Sequence, residues 1–434
     1  MNLARITGGK PNIMKQLKTI GAIGGSVLMV LCWPLAVGQI GQNVITDGVE
    51  HINNELISTE IVDYDRGYFS SNVKTRYVLL DQDLIAQFEA DDLPTEFVVN
   101  SAVSHGLLSL SAHSSLEDLD FPLTVDSVTQ LNGNTDFTMN LASWYYQTQN
   151  GEEMAISVSP ASLKGSVTVL GQLTYQLDIP SIELDFATGE KLVLSGINGE
   201  GEGKQEKGFW LGNQSLAMER FSIAEFSNQQ PTFEIENGQY QFSSSLNNEE
   251  GRLNSNHKVS MGSMLTPDGA IEAFNLDFSM GDIDSLAFES LMTMYQSNPM
   301  MTESEIAAAI PHVESLFSKG FYLAMNSMSL KVGQGEFESK WKLSVPEGTD
   351  SISQDPSKIL PALKGELSTY FSNQLVTDFP FIKQGIDEAI VMEIIEQTET
   401  GYKIKAELNN ANVVFESGQE IPLMALLLPV LMQQ

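Results

Sequence analysis

Histidine, cysteine and carboxylate side chains are the groups from which a metal or proton-transfer site would be built in this 434-residue chain. No two histidines have the His-x-x-x-His spacing that places two ligands on one helix face. The single cysteine, Cys32, lies in an apolar stretch, so a zinc site would need distant carboxylates. The histidines are His51, His105, His113, His257 and His312. We therefore predict no metal site and no cofactor.

Serine nucleophiles and phosphate-binding loops leave recognisable motifs, and neither a Gly-x-Ser-x-Gly elbow nor a phosphate-cradling glycine loop occurs. Acidic residues outnumber basic ones by 56 to 23, so their abundance alone does not indicate a catalytic carboxylate pair. Asp63, Asp65 and Gly67 suggest a calcium loop, but Lys74 stands at the twelfth position, where an EF-hand needs an acid. We predict a non-enzymatic protein, with a hydrolase of hidden site as an alternative.

One polar stretch, Tyr64 to Ser71, stands where the first predicted strand should turn into the second, and reads Tyr-Asp-Arg-Gly-Tyr-Phe-Ser-Ser. Gly67 is expected to adopt a positive φ angle in a turn or bulge. Arg66 is expected to pair with Asp63 or Asp65, or to hold carbonyl groups of the next strand. A ligand-binding role for Arg66 is the alternative.

This stretch resembles the signature of the YdgA-like family of bacterial envelope proteins. Ser104-His105-Gly106 is similar to a His-Gly pair of that family, and Phe415 to Leu423 resembles its closing strand, turn and apolar tail. The resemblance covers nearly the whole chain and implies an inner-membrane-anchored periplasmic protein without an established activity or catalytic residues. The motif residues, which we expect to be structural, are Tyr64, Arg66, Gly67, Phe69, Ser70, Ser71, His105 and Gly106.

An uncharged apolar stretch, Thr19 to Gly38, is long enough to span the roughly 30 Å of a bilayer core as a helix. The residues before it carry four basic side chains and no acidic one, and cationic flanks stay cytoplasmic. We predict a cytoplasmic segment at 1–18, a single transmembrane anchor at 19–38 and a periplasmic domain beyond it. A cleaved signal peptide ending at Ala36-Val37-Gly38 is the alternative.

The residues after the predicted anchor are strongly acidic. Removing the four basic residues before it from the total of 23 leaves 19 against 56 acidic residues, a net charge of −37. Such a domain would repel nucleic acid, which we exclude as a partner. The charge favours solubility, with an acidic recognition surface as the alternative. Because no cysteine follows Cys32, the exported domain has no disulfide bonds.

From about Leu56 to Met280, within a predicted β-rich exported region at 39–283, the sequence shows the period-two pattern of β-strands with one apolar and one polar face. Leu173, Tyr175, Leu177 and Ile179, for example, alternate with polar residues. Turn signals occur at Asn132-Gly133, Asn198-Gly199, Asn237-Gly238 and Asp268-Gly269. Gly199, Gly201 and Gly203 are expected in a polar loop. The predicted fold class is α+β, mainly β: a large elongated antiparallel sheet with a helical insertion.

Residues 284–434 form the predicted helix-containing α+β region. Thr302 and Glu305 form a capping box before an apolar helical pattern that Pro311 interrupts and Gly320 ends. Ser357 to Asp387 is predicted to be helical again. The apolar tail, Ile421 to Met432, is expected to dock on the sheet or in a groove, with a membrane-surface contact as the alternative.

These features together predict a tethered envelope protein whose helices cover the apolar face of its sheet only in part. Such a groove would hold a lipid, an acyl chain or an unfolded protein segment. The alternative is a scaffold that docks another envelope protein through an edge strand or its acidic surface. The predicted partners are the inner membrane, through residues 19–38, and a lipid or envelope protein.

Overall fold

The computed structural model describes residues 39, 41–42, 45–46, 53, 56–90, 94–117, 120–147, 154–206, 209–225, 231–267, 269–298 and 301–426. The predicted cytoplasmic segment at 1–18, the predicted anchor at 19–38 and His51 lie outside these residues. Among the helices that are described, none has both the length and the apolar composition needed to cross a bilayer.

The described chain is mainly β, as the sequence predicts, and its few helices lie mostly in the last third. The strands are β1 Ile57–Arg66, β2 Ser70–Leu79, β3 Glu96–His105, β4 Ser109–Glu117, β5 Leu123–Gln130, β6 Thr135–Leu141, β7 Trp144–Gln147, β8 Met154–Val158, β9 Ala161–Val167, β10 Gln172–Phe186, β11 Glu190–Glu206, β12 Phe209–Glu225, β13 Pro231–Asn247, β14 Arg252–Thr266, β15 Gly269–Asp284, β16 Phe321–Val332, β17 Gly335–Val345, β18 Lys364–Ser372, β19 Glu396–Gln397, β20 Gly401–Asn409, β21 Asn412–Phe415 and β22 Glu420–Pro422. The helices are α1 Gln82–Ala90, α2 Ser285–Ser297, α3 Glu303–Lys319, α4 Ile359–Ala362, α5 Asn373–Asp378 and α6 Pro380–Val391, with a 3-10 turn at Pro356–Lys358.

The chain divides into two compact units. Unit 1 takes in the described residues up to Trp144, together with Lys164–Val169. Unit 2 takes in Tyr145–Gln147 and the described residues of Glu152–Leu163 and Leu170–Gln434. The boundary predicted between residues 283 and 284 lies inside unit 2, at the residue that caps the N-terminus of α2.

Unit 1 is an antiparallel meander in which each strand from β1 to β6 pairs with the next. Its core is small and is centred on Val73 and Val103, which are 1% and 2% exposed. Because the strands alternate in direction, the β1–β2, β3–β4 and β5–β6 turns all lie at one end of the sheet. We call this end the turn end.

Unit 2 is built on a longer antiparallel sheet, in which β10 to β18 pair in chain order. β20 continues the sheet beside β18, followed by β21 and β22. The strands from β10 to β15 have 15 to 17 residues each. Such long antiparallel strands carry one side-chain face each way along their whole length.

Two of the predicted turn signals lie inside strands, which corrects the sequence interpretation. Asn198-Gly199 belongs to β11 and Asn237-Gly238 to β13, whereas Asn132-Gly133 forms the β5–β6 turn, as predicted. Gly199, Gly201 and Gly203 are buried in β11 instead of lying in a loop. A Cβ atom at Gly201 would lie 2.4 Å from the ring of Tyr175, so the missing side chain makes room for that ring.

Helices α2 and α3 follow β15 and are fixed at their outer ends. Asp284 caps α2 by accepting from the Ala287 N–H at 3.0 Å, and its other carboxylate oxygen pairs with Lys319 at the end of α3. The predicted capping box of Thr302 and Glu305 is confirmed, and so is the end at Gly320. Pro311 lies within α3 without splitting it.

The prediction of one helical segment from Ser357 to Asp387 is wrong in its middle. Lys364–Ser372 is strand β18, which pairs with β17 on one side and with β20 on the other. One face of this strand carries Leu367, Thr369 and Phe371. The helix was predicted because the sequence spacing of Ile359, Leu363, Leu367 and Tyr370 is that of one helix face. Pairing on both sides overrides that weaker local pattern.

The apolar tail enters the sheet only at its start. Ile421 in β22 lies opposite Val413, but Met424 and Leu426 are 48% and 43% exposed. The expectation that the tail is buried is therefore wrong for these two residues. Residues 427–434 lie outside the described part of the chain.

We expect a methyl group to change the stability of the protein differently at two glycines of β11. Gly203→Ala should lower the free energy of unfolding by about 1–3 kcal/mol, because its Cβ would lie 2.5 Å from the Leu211 carbonyl oxygen, a backbone atom. Gly199→Ala is the matched control, since its nearest contact is an ordinary 3.4 Å. Chemical denaturation should separate the two, and equal losses would contradict the close-approach explanation.

Candidate functional site

The motif glycine Gly67 lies in the turn between β1 and β2. Its N–H donates to the Ser70 carbonyl at 2.8 Å. Gly67 is not among the glycines with positive φ, so the predicted left-handed conformation is wrong. A Cβ atom there would lie 2.9 Å from the Ser70 carbonyl oxygen. Glycine is required because of this close approach between backbone atoms.

The β3–β4 turn repeats the same arrangement around Gly106. The Gly106 N–H donates to the Ser109 carbonyl at 2.9 Å, and a Cβ atom would lie 2.7 Å from that oxygen. Both turns have the sequence pattern Gly, two large residues, Ser. Sequence reasoning missed this repeat, although the spacing of Gly67 and Ser70 against that of Gly106 and Ser109 could have revealed it.

Two motif residues, Ser71 and His105, meet in the core of unit 1. The Ser71 Oγ lies 2.8 Å from the His105 Nε2, and the two residues are 2% and 6% exposed. The other ring nitrogen, Nδ1, lies 3.3 Å from the Tyr68 carbonyl oxygen. A serine beside a histidine could act as a nucleophile and base, but this pair has no surface that a substrate could reach. Its geometry fixes the β2–β3 pairing beside the first turn.

Tyr64 lies beside this pair. Its hydroxyl is buried and finds no hydrogen-bond partner of standard geometry among the described residues. Burial raises the pKa of Tyr64, and the proximity of Ser71 and Arg66 opposes that rise. Phe69 and Ser70, in contrast, are exposed at the turn and take no part in the buried cluster.

Arg66 contacts neither of the acids that the sequence suggested. In the described part of the chain its guanidinium donates to the side-chain oxygen of Gln39, and to that of Gln42 at 3.4 Å. Nearby Gly41 lies against Leu110, where a Cβ atom would be 2.5 Å from the Leu110 Cδ1. Gln39, Gly41 and Gln42 thus lie against the turn end of unit 1.

The four histidines in the described residues, His105, His113, His257 and His312, form no common metal site. His113 pairs with Asp126 at 2.8 Å on the surface of unit 1, whereas His257 lies in unit 2. No three His, Cys, Asp or Glu side chains in the described ranges lie close enough together to hold a metal ion.

The most extensive feature of unit 2 is a line of directly paired residues, one from each of eleven neighbouring strands, which we call the transverse row. Directly opposed residues point to the same face of a sheet. From β10 to β21 the row consists of Tyr175, Gly201, Gln214, Phe242, His257, Phe278, Met325, Trp341, Leu367, Ala406 and Phe415. Apart from Gln214 and His257, its residues are apolar or aromatic.

Aromatic contacts follow the middle of the transverse row. The ring centroids of Phe242 and His257 lie 4.9 Å apart, those of His257 and Phe278 6.4 Å, and those of Phe278 and Trp341 6.3 Å. The Nδ1 of His257 lies 2.9 Å from the hydroxyl of Tyr240. Burial among these rings lowers the pKa of His257.

The opposite face of the same strands is polar. Asp277, next to Phe278, accepts hydrogen bonds from Asn256 and Asn326, both at 2.7 Å, and pairs with Lys258 at 3.4 Å. Burial alone would raise the pKa of Asp277, but these hydrogen bonds and the lysine charge lower it overall. The sheet therefore separates an apolar face from a hydrogen-bonded, charged one.

The transverse row is not covered in the way that a second sheet would cover it. Neither β10 nor β13 contains a single fully buried residue, and Leu216 and Tyr240, on the same face, are 44% and 37% exposed. A depression of about 630 Å³ crosses the last five strands of the row. Three neighbouring residues of each strand line it: row residues such as Trp341 and Leu367, and the residues on either side of them, which alternate to the polar face and include Lys340, Lys342 and Glu366.

The chain is similar to one protein family along almost its whole length. The family model described as "Bacterial protein of unknown function (DUF945)" matches residues 13–424, which include the motif and the transverse row. No match to a curated protein or to a solved structure was found.

The Ser71–His105 contact predicts a loss of stability for a small substitution. Ser71→Ala should lower the free energy of unfolding by about 1–3 kcal/mol, because it leaves a buried ring nitrogen without its partner. Ser70→Ala, on the exposed neighbour, should change it by less than about 0.5 kcal/mol. Thermal or urea unfolding gives both values, and similar losses would show that the contact contributes nothing specific.

We expect the stability of the protein to depend on pH through His257. Its pKa is lowered in the folded state, so the unfolded chain binds the proton more readily, and the free energy of unfolding should fall as pH drops below about 6.5. His257→Gln should remove this component of the pH profile. His113→Gln, on the surface, is the matched control. The prediction would be contradicted if His113→Gln removed the pH dependence of stability and His257→Gln did not.

Proposed function

We propose that this chain, which belongs to the bacterial family of proteins of unknown function DUF945, is a non-enzymatic, membrane-tethered protein that holds the acyl chains of a lipid along its transverse row. The observation that carries the proposal is the row itself. It runs across eleven strands, or about 48 Å at the usual spacing between strands, and most of its side chains are half-buried.

An open apolar face of this length needs an occupant. In a sandwich, a second layer would bury alternate residues of every strand, but β10 and β13 have no fully buried residue. Exposed apolar area of this size on a soluble domain usually marks a binding surface.

Acyl chains fit this face better than an extended peptide does. The backbone groups of β10 to β18 already pair with one another, so the face offers no free N–H or C=O groups to a peptide. A peptide placed there would lose hydrogen bonds with water and gain none, whereas a hydrocarbon chain needs none.

The proposed location follows from the sequence. Residues 19–38 would anchor the chain in the bacterial inner membrane, with the acidic domain in the periplasm and the basic segment 1–18 in the cytoplasm. The resemblance of Tyr64 to Ser71 to the YdgA-like signature supports this place in the cell envelope. The buried Ser71–His105 pair gives no support to a hydrolase.

Photo-crosslinking in bacterial membranes tests the proposal. Benzoylphenylalanine placed at Phe242, in the transverse row, should form a covalent adduct with lipid that mass spectrometry identifies. The matched control is the same probe at Gln241, which precedes Phe242 in β13 and lies on the polar face. It should form no lipid adduct.

Each other outcome of this experiment counts against lipid binding. Equal lipid adducts at both positions would indicate non-specific proximity to the membrane. An adduct with a protein at Phe242 would favour the scaffold alternative, and native mass spectrometry after mild extraction would then give its stoichiometry. A folded protein without any adduct at Phe242 would leave the row unoccupied and overturn the proposal.

A further inference from the structure

We propose that the turn end of unit 1 inserts its apolar side chains into the surface of the lipid bilayer, next to the membrane tether. This inference rests on the tether of the proposed function, but it concerns a different surface from the transverse row. The inserted side chains are Phe69, Leu107, Leu108, Leu131 and Val169.

These side chains come from separate parts of the chain that the meander brings to one end. Phe69 lies in the β1–β2 turn, Leu107 and Leu108 in the β3–β4 turn, and Leu131 in the β5–β6 turn. The Leu131 N–H donates to the Leu108 carbonyl at 3.2 Å, which joins the second and third turns. The His105 N–H donates to the Phe69 carbonyl at 2.7 Å, and the Val169 N–H donates to the Asn134 Oδ1 beside the third turn at 3.2 Å. The patch is therefore one continuous surface of unit 1.

The residues of this patch are unusual for their positions. Turns are normally occupied by Gly, Asn, Asp, Pro and Ser, whose backbone preferences and polarity suit a solvent-exposed bend. Here two turns of the same type place Tyr68-Phe69 and Leu107-Leu108 in their middle. Phe69, Leu107 and Leu108 are 65%, 59% and 69% exposed, and Leu131 is 46% exposed. Water is a poor solvent for such a cluster.

The position of the residues before β1 indicates that the bilayer is the partner of this patch. The uncharged stretch from 19 to 38 ends one residue before Gln39, whose side chain binds Arg66 of the first turn. Gly41 packs on Leu110, next to the second turn. A tether spanning 19–38 would thus leave the membrane at the turn end, with no length of chain to separate them.

The chemistry of the turn end also suits the membrane interface. Tyr68 packs edge to face on Phe69 with ring centroids 4.5 Å apart, and such amphipathic rings favour the level of the lipid head groups. Asp63 and Asp65 are exposed on β1 and would repel anionic head groups, so we expect no preference for an anionic lipid. We expect shallow insertion into a zwitterionic surface.

Fluorescence quenching in reconstituted vesicles tests this arrangement with the full chain. In a Cys32→Ser background, Leu108→Cys and Leu80→Cys are each labelled with an environment-sensitive dye. Leu80 is the matched control, because it is 44% exposed and follows β2 at the opposite end, about 33 Å away along ten residues. Phosphatidylcholine with brominated acyl chains should quench the label at 108 and leave the label at 80 unchanged.

The outcomes separate the two proposals. If the protein does not float with the vesicles, the tether fails, and with it the basis of this inference. If it floats but the label at 108 keeps its fluorescence, the tether stands and the inserted turn end is overturned. Quenching at both positions would also overturn it. Leu131→Cys repeats the measurement at the third turn, in case the label at 108 disturbs the fold.

Discussion

The register between neighbouring strands is the constraint on which unit 2 depends. Side chains alternate between the two faces with a period of two, so a slip of one residue in any pair would move apolar residues to the polar face. From β10 to β21 the register keeps Phe242, Phe278 and Trp341 on one face and leaves Asp277 with its amide partners on the other. Both the transverse row and the hydrogen bonds around Asp277 on the opposite face therefore follow from the same pairing.

Glycine maintains this architecture through space more than through unusual backbone angles. In β11 the glycines lie under the side chains of neighbouring strands, and in unit 1 Gly67 and Gly106 allow a carbonyl oxygen to approach the turn. A side chain at Gly67, Gly106, Gly201 or Gly203 would push paired strands apart, which the sheet cannot absorb without losing backbone hydrogen bonds, whereas Gly199 has ordinary contact distances. The close approaches therefore make the local spacing sensitive to a single added atom.

Part of this structure could be predicted from the sequence, namely the features with local signals. The alternation in β10, the Thr302–Glu305 capping box and the end of α3 at Gly320 are of this kind. Features decided by distant partners were missed: β18 imitates a helical period, and Asn198-Gly199 imitates a turn. The transverse row could not be predicted at all, because its residues lie far apart in sequence and only the register aligns them.

The proposed binding function agrees with where the polar groups of the described residues lie. A nucleophile needs both an activating partner and access to substrate. Ser71 has its partner in His105, but the pair lies within the core of unit 1. The open surfaces, along the transverse row and at the turn end, present hydrocarbon and aromatic rings instead. Such surfaces can remove the apolar groups of another molecule from water. The free energy of transferring those groups out of water is enough for binding, and no reacting group is needed.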